Sequence, residues 1–103
     1  MTAYSNTNKN LHKISVAPMM DCTDKHFRMI MRQITSRALL YTEMIVAQSL
    51  IFSNKREKFL NFNKEEHPIS IQLGGEDPKF LKEAAKMAQD WGYDEVNFNV
   101  GCP

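Results

Sequence analysis

Four short apolar runs, separated by stretches of helical length, constrain this chain more than any other feature of its sequence. The runs are Ile14-Ser15-Val16-Ala17, Ala38-Leu39-Leu40-Tyr41-Thr42, Ile69-Ser70-Ile71-Gln72-Leu73 and Val96-Asn97-Phe98-Asn99-Val100. Each has the length of a strand, and the last two alternate apolar and polar residues with period two. The order is strand, helix, strand, helix, strand, helix, strand, with no hairpin signal, which calls for parallel strands joined by right-handed crossovers. A doubly wound sheet and a (β/α)₈ barrel both satisfy that order. The polar residues help to decide between them. Doubly wound strands are usually apolar on both faces, whereas Gln72, Asn97 and Asn99 recur here near C-terminal strand ends. In barrels that end carries the ligand site. The expected fold is therefore α/β, the first four strands and intervening helices of a (β/α)₈ TIM barrel.

Local signals fill in the connections. Residues 1–13 are polar, lack periodicity and read as a disordered lead-in, with His12 solvated. Pro18 closes the first strand, and Met19-Met20 lead to Asp21, Thr23 and Asp24, residue types that start helices. Phe27, Ile30, Met31 and Ile34 fall at helical spacing, and Lys25, Arg28, Arg32 and Arg37 read as a solvated face. The second strand is expected to end at Glu43, with Met44–Phe52 helical and Asn54–Lys58 a charged connection. Phe59, Leu60 and Phe62 are expected to fold back onto the core. Gly74-Gly75 ends the third strand, and Asp77-Pro78 opens a helix whose apolar face runs through Phe80, Leu81, Ala84, Ala85, Met87, Ala88 and Trp91 to a terminating Gly92. Gly74-Gly75 lacks the spacing and lysine of a phosphate loop, and His67, at the wrong end of its strand for barrel chemistry, reads as structural.

Composition sets outer limits. The chain has 103 residues, 43% hydrophobic and 24% charged, with a formal net charge of +1, ordinary values for one small soluble domain or part of one. No apolar run reaches the ~18–20 residues of a membrane span and no signal peptide precedes the first strand, so a cytoplasmic protein is expected. Two cysteines, Cys22 and Cys102, form neither a disulfide framework nor a metal-ligand set, and no metal is expected. The sequence stops on Gly101-Cys102-Pro103 with no closing helix or polar tail, as a cut chain would.

That final stretch carries the most chemistry. Gly101 permits a tight turn, Pro103 fixes the backbone beyond it, and Cys102 is presented between them. Four strand tips converge in this reading: Ala17-Pro18-Met19, Thr42-Glu43, Gln72, and Asn97 through Cys102.

With these residues in place, the chain from Ile14 onward resembles the N-terminal part of the tRNA-dihydrouridine synthases, FMN-dependent enzymes that reduce uridines in tRNA. The resemblance rests on Val16-Ala17-Pro18-Met19-Met20-Asp21-Cys22-Thr23-Asp24, Leu40-Tyr41-Thr42-Glu43-Met44, Ile71-Gln72-Leu73-Gly74-Gly75 and Asn97-Phe98-Asn99-Val100-Gly101-Cys102-Pro103. Cys22 stands where relatives often carry an aromatic residue. The resemblance implies that Ala17, Pro18 and Met19 lie along the flavin ring and Gln72 bonds its polar edge. It further implies that Asn99 contacts the target uridine and Cys102 donates a proton, with NADPH as reductant and tRNA as partner. These residue types suit the task, since a flavin needs flat apolar cover and a few directed amides. A thiol of pKa near ~8.5 is protonated at neutral pH and can serve as an acid. The family's later strands, phosphate-gripping loops and helical tRNA-binding domain are not among these residues, so the chain alone is expected to be inactive. An FMN barrel acting on a free pyrimidine or a small enone, and a non-catalytic fragment that pairs with another half-barrel, are the alternatives.

Overall fold

A computed structural model describes residues 12–101. The reading of residues 1–11 as a disordered lead-in, and the role given to Cys102, lie outside the described residues. Four parallel strands form one sheet in the order β1 (Ser15–Val16), β2 (Leu39–Val46), β3 (Ile69–Gly74), β4 (Glu95–Phe98). Between them run α1 (Lys25–Ile34), the short α2 (Ala47–Phe52) and α3 (Arg56–Leu60), a 3₁₀ turn at Lys64–Glu66, and α4 (Pro78–Trp91). This is the α/β arrangement with a parallel sheet that the alternating sequence demanded.

Register fixes what each face of the sheet carries. Leu40 pairs with Ile69, Ile45 with Leu73 and Ile71 with Val96, and this face meets the helices. Ile69, Ile71 and Leu73 are at most 1% exposed, packed with Leu50, Leu60, Ala84, Ala88 and Tyr93. The small Ala84 and Ala88 let α4 approach the sheet closely, and its start and stop follow the local signals. Asp77 accepts the Lys79 N–H at 2.9 Å, Pro78 fills the first turn, and Gly92 closes the helix at φ 109°, a left-handed value that favours glycine. The opposite face pairs Tyr41 with Ser70, Met44 with Gln72, Ser70 with Glu95 and Gln72 with Asn97, and is polar.

Several expectations are corrected. β2 continues through Val46 instead of ending at Glu43, so Met44-Ile45-Val46 are strand and the helix begins at Ala47. β-branched Ile45 and Val46 favour extended backbone, and Ile45 is buried against the helix layer. Asn54–Lys58 is not merely a connection, because α3 begins at Arg56. β4 ends at Phe98, leaving Asn99 and Val100 beyond the strand. Trp91 and Phe59 stay 39% and 38% exposed, whereas Leu60 is buried and Phe62 packs on Tyr93 with ring centroids 4.7 Å apart. His12 is not merely solvated, because its Nε2 meets the Glu95 carboxylate.

The largest correction concerns α1. Asp24 caps it by accepting the Phe27 N–H at 2.8 Å, as helix-starting residues do. Yet Ile30 and Ile34 are 61% and 74% exposed, while Arg28 is 5% exposed. The helix is turned so that its arginines, not its isoleucines, face inward. Arg28 Nε meets Glu66 Oε1 at 2.5 Å, and its Nη1 donates to the Thr23 carbonyl at 2.8 Å. Arg32 donates to the carbonyls of Thr35, Ala38, Glu66 and Pro68 over 2.8–3.1 Å. A guanidinium has enough fixed donors to collect the carbonyls that a strand-to-helix corner leaves over. Burial lowers the Arg32 pKa, an effect opposed by Glu66 and Asp94.

Tyr93 makes the core sensitive to alkali. Its hydroxyl donates to the Leu60 carbonyl at 2.8 Å, and burial pushes its pKa above the ordinary 10.0, with Arg28 opposing and Glu66 reinforcing. The folded state thus holds this proton more tightly than the unfolded chain. The resulting stability is fully present below pH ~10 and is lost as pH rises beyond that value. Tyr93→Phe should cost about 1 kcal/mol at neutral pH through loss of the hydrogen bond. It should also flatten the decline in stability above pH ~10. Urea unfolding of both proteins at neutral and alkaline pH checks this; an equally steep decline in the variant would count against it.

Candidate functional site

The sequence-predicted residues gather at one end of the sheet because its strands are all parallel. Ala17, Pro18 and Met19 leave the C-terminal end of β1, Gln72 and Gly74 stand in the last half of β3, and Asn97 and Asn99 stand in and beyond β4. Gln72 lies at the centre of an amide cluster. Its Nε2 donates to Asn97 Oδ1 at 2.8 Å, and its Oε1 accepts from Asn99 Nδ2 at 3.3 Å. Asn99 is held further, donating its backbone N–H to the Leu73 carbonyl at 2.9 Å and accepting the Gly101 N–H on Oδ1 at 2.9 Å. That last bond turns the chain sharply just before Cys102.

A glutamine amide carries two donor hydrogens and an oxygen with two lone pairs. The bonds to Asn97 and Asn99 use one donor and one lone pair, leaving one of each for a ligand among the described residues. A partner that offers an acceptor beside a donor fits that pattern. Close by, Met44 pairs with Gln72, and its sulfur lies where a Cβ at Gly74 would come within 2.8 Å, so glycine lets this methionine lie flat against the strand. The site thus pairs directed amides with soft apolar surface.

The β1–α1 loop is built to hold Met19 still. The Met19 carbonyl accepts the N–H groups of Cys22 at 3.0 Å and Thr23 at 2.9 Å. The fully buried Thr23 hydroxyl lies 3.1 Å from Met19 N and 3.2 Å from Met19 O. Met19 itself is 44% exposed, Ala17 is exposed and Pro18 half-buried, so the loop presents surface outward from a fixed backbone. The structure places this loop and Gln72 at one sheet end but on strands separated by β2. Sequence reading missed Thr23, Arg28 and Thr42 as supports, since a threonine or arginine in such a segment carries no signal of a distant partner.

Below the amides, nearer the N-terminal ends, a second polar layer surrounds Glu95. Its Oε1 accepts from Ser70 Oγ at 2.9 Å and Tyr41 Oη at 3.3 Å. Burial raises the Tyr41 pKa, and the Glu95 charge and hydrogen bond raise it further. This layer floors the site without reaching the strand tips. Among the described residues, no group of three or more His, Cys, Asp or Glu could hold a metal ion. No helix there is long and apolar enough to cross a membrane.

Residues 15–103 match the family model for dihydrouridine synthase (Dus). The chain belongs to the dihydrouridine synthase family. Relatives named tRNA-dihydrouridine(20/20a) synthase agree with this. One from Synechocystis is 56% identical over 94 residues, covering 91% of this chain and 28% of the relative. One from Xanthomonas campestris is 50% identical over 91 residues, covering 88% and 27%, and one from Xanthomonas axonopodis is 47% identical over 103 residues, covering 100% and 30%. The chain spans under a third of the length of these dihydrouridine synthases, in keeping with an N-terminal part. The Asn99–Gly101 turn lies inside the matched residues of the family, as do Ala17, Pro18, Met19, Gln72 and Cys102.

Proposed function

We propose that this chain is the flavin-facing first half of the (β/α)₈ barrel of an FMN-dependent, NADPH-driven, cytoplasmic tRNA-dihydrouridine synthase. The observation that carries the reading is the Gln72–Asn97–Asn99 amide cluster, set at the same sheet end as the fixed Met19 loop. When bound, FMN with NADPH as reductant would supply hydride to one carbon of the uracil C5=C6 bond. Ala17, Pro18 and Met19 would cover the flavin ring, and Gln72 would hydrogen-bond its polar edge. Asn99 orients the uracil through its carbonyls. The Cys102 thiol gives its proton to the other carbon of the double bond, completing the reduction to 5,6-dihydrouridine. The relatives' names point to uridines 20 and 20a of tRNA as the bases this protein reduces.

The first test is a titration of FMN into the chain, followed by quenching of flavin fluorescence. Binding is expected, with half-saturation above the micromolar range, because the phosphate-gripping loops that such barrels carry near their last strands are not among these residues. Pro18→Gly with Gln72→Ala should abolish the quench. Unchanged quenching by that double variant would overturn the site assignment. A sub-micromolar midpoint in the unmodified chain would show that cationic groups among these residues already hold the phosphate.

A further inference from the structure

β2 contains one residue more than its neighbour needs. Tyr41 pairs with Ser70 and Met44 with Gln72, so β2 takes three steps where β3 takes two. Such a bulge re-aims side chains that a regular strand would send to one face or the other. Thr42 and Glu43 are the residues it re-aims. The Thr42 hydroxyl accepts the Gln72 backbone N–H at 3.1 Å, taking over a ladder bond, and donates to the Glu43 carbonyl at 2.7 Å. The Glu43 carboxylate reaches in the other direction and accepts the Asp21 N–H. Asp21 sits at φ 61°, the only non-glycine residue at positive φ among the described residues, which turns that N–H outward from the loop.

From this geometry we infer that the bulge is a positioning device: Thr42 fixes Gln72 and Glu43 fixes the Met19–Thr23 loop, setting the distance between the two halves of the site. The loop moves as one body, because Thr23 and Cys22 close it on Met19. Among the described residues, the loop is attached outward by the Arg28 bond to the Thr23 carbonyl, the Asp24 N–H bond to the Cys22 carbonyl and the Glu43 bond to Asp21. Arg28 holds the loop to the helix layer. Among the described residues, the Glu43 side-chain bond ties it to β2, whose Thr42 holds Gln72 of β3. Glu43 is thus a positioning residue rather than a catalytic one, and this role rests on the flavin reading of Pro18, Met19 and Gln72.

The test uses the full chain with two readouts on each preparation, amide hydrogen exchange and FMN titration. Glu43→Ala should speed exchange at the Asp21 amide at least tenfold, leave the Ile71 and Leu73 amides of β3 unchanged, and weaken FMN binding about tenfold. Glu43→Gln, which retains an acceptor oxygen, should stay within about threefold of the unmodified chain in both. If the unmodified chain fails to quench FMN, the flavin reading falls and the positioning role falls with it. If it quenches FMN and Glu43→Ala binds equally well, only the positioning role is overturned. Should Glu43→Ala also lose protection in β3, Glu43→Gln decides: a slow Asp21 amide with retained FMN affinity supports the role, and lost affinity with β3 intact overturns it.

Discussion

Cys102→Ala, in a protein carrying this chain together with the remaining length of its relatives, should retain bound FMN and NADPH-driven flavin reduction while losing uridine reduction. Neither retained step needs the thiol. The third requires a proton at the uracil carbon that hydride does not reach, and a positioned acid typically contributes ~10²–10⁴-fold. Turnover should therefore fall by about that factor. A purely structural thiol predicts a different pattern, with stability and flavin content declining together as a small cavity opens. Flavin occupancy and dihydrouridine yield measured on one Cys102→Ala preparation separate the two. Full occupancy with undiminished yield would remove Cys102 from the proposed mechanism.

The second large effect is on stability. Arg28→Ala strands the Glu66 carboxylate, which is 0% exposed and, among the described residues, otherwise accepts the Asn63 N–H on its second oxygen. Breaking a buried ion pair from one side costs about 3–5 kcal/mol. Whole domains have only ~5–15 kcal/mol of stability, so most of the variant should unfold on mild warming. Arg28→Met with Glu66→Leu removes both charges and keeps volume, and should recover most of the loss. Urea midpoints of the three proteins provide the check. A cost below ~1 kcal/mol for Arg28→Ala would mean that water reaches Glu66 and the pair is not an anchor.

How much of this was readable beforehand depends on the range of each interaction. The Gln72, Asn97 and Asn99 alternation was legible because a two-residue period places residues on one face whatever the tertiary context. The caps at Asp24, Asp77 and Gly92 were legible because each acts within a few residues of itself. Arg28 was not, since its partner lies 38 residues away and nothing in an amphipathic helix announces it. Ile30 and Ile34 misled for the complementary reason: apolar spacing shows a stripe, but not which neighbour the stripe meets. The bulge in β2 was hidden as well, because Tyr41-Thr42-Glu43-Met44 looks like a strand ending in polar residues. Only pairing with β3 shows the extra step.

The sheet's strand order has a consequence for synthesis. Because β1, β2, β3 and β4 lie side by side in the order in which they are made, each strand meets its template already present as it leaves the ribosome. β2, β3 and β4 each pair with a strand made before them, whereas Arg28 and Arg32 of α1 find their partners only once Glu66 and Pro68 have been made. α4 can cover β3 as soon as Gly92 has ended the helix, and β4 then docks on a surface that is already packed. Growth of this kind is vectorial. Each finished strand offers the next a row of backbone donors and acceptors, while Val96 and Phe98, 36% and 47% exposed, lie on the helix-facing side of β4.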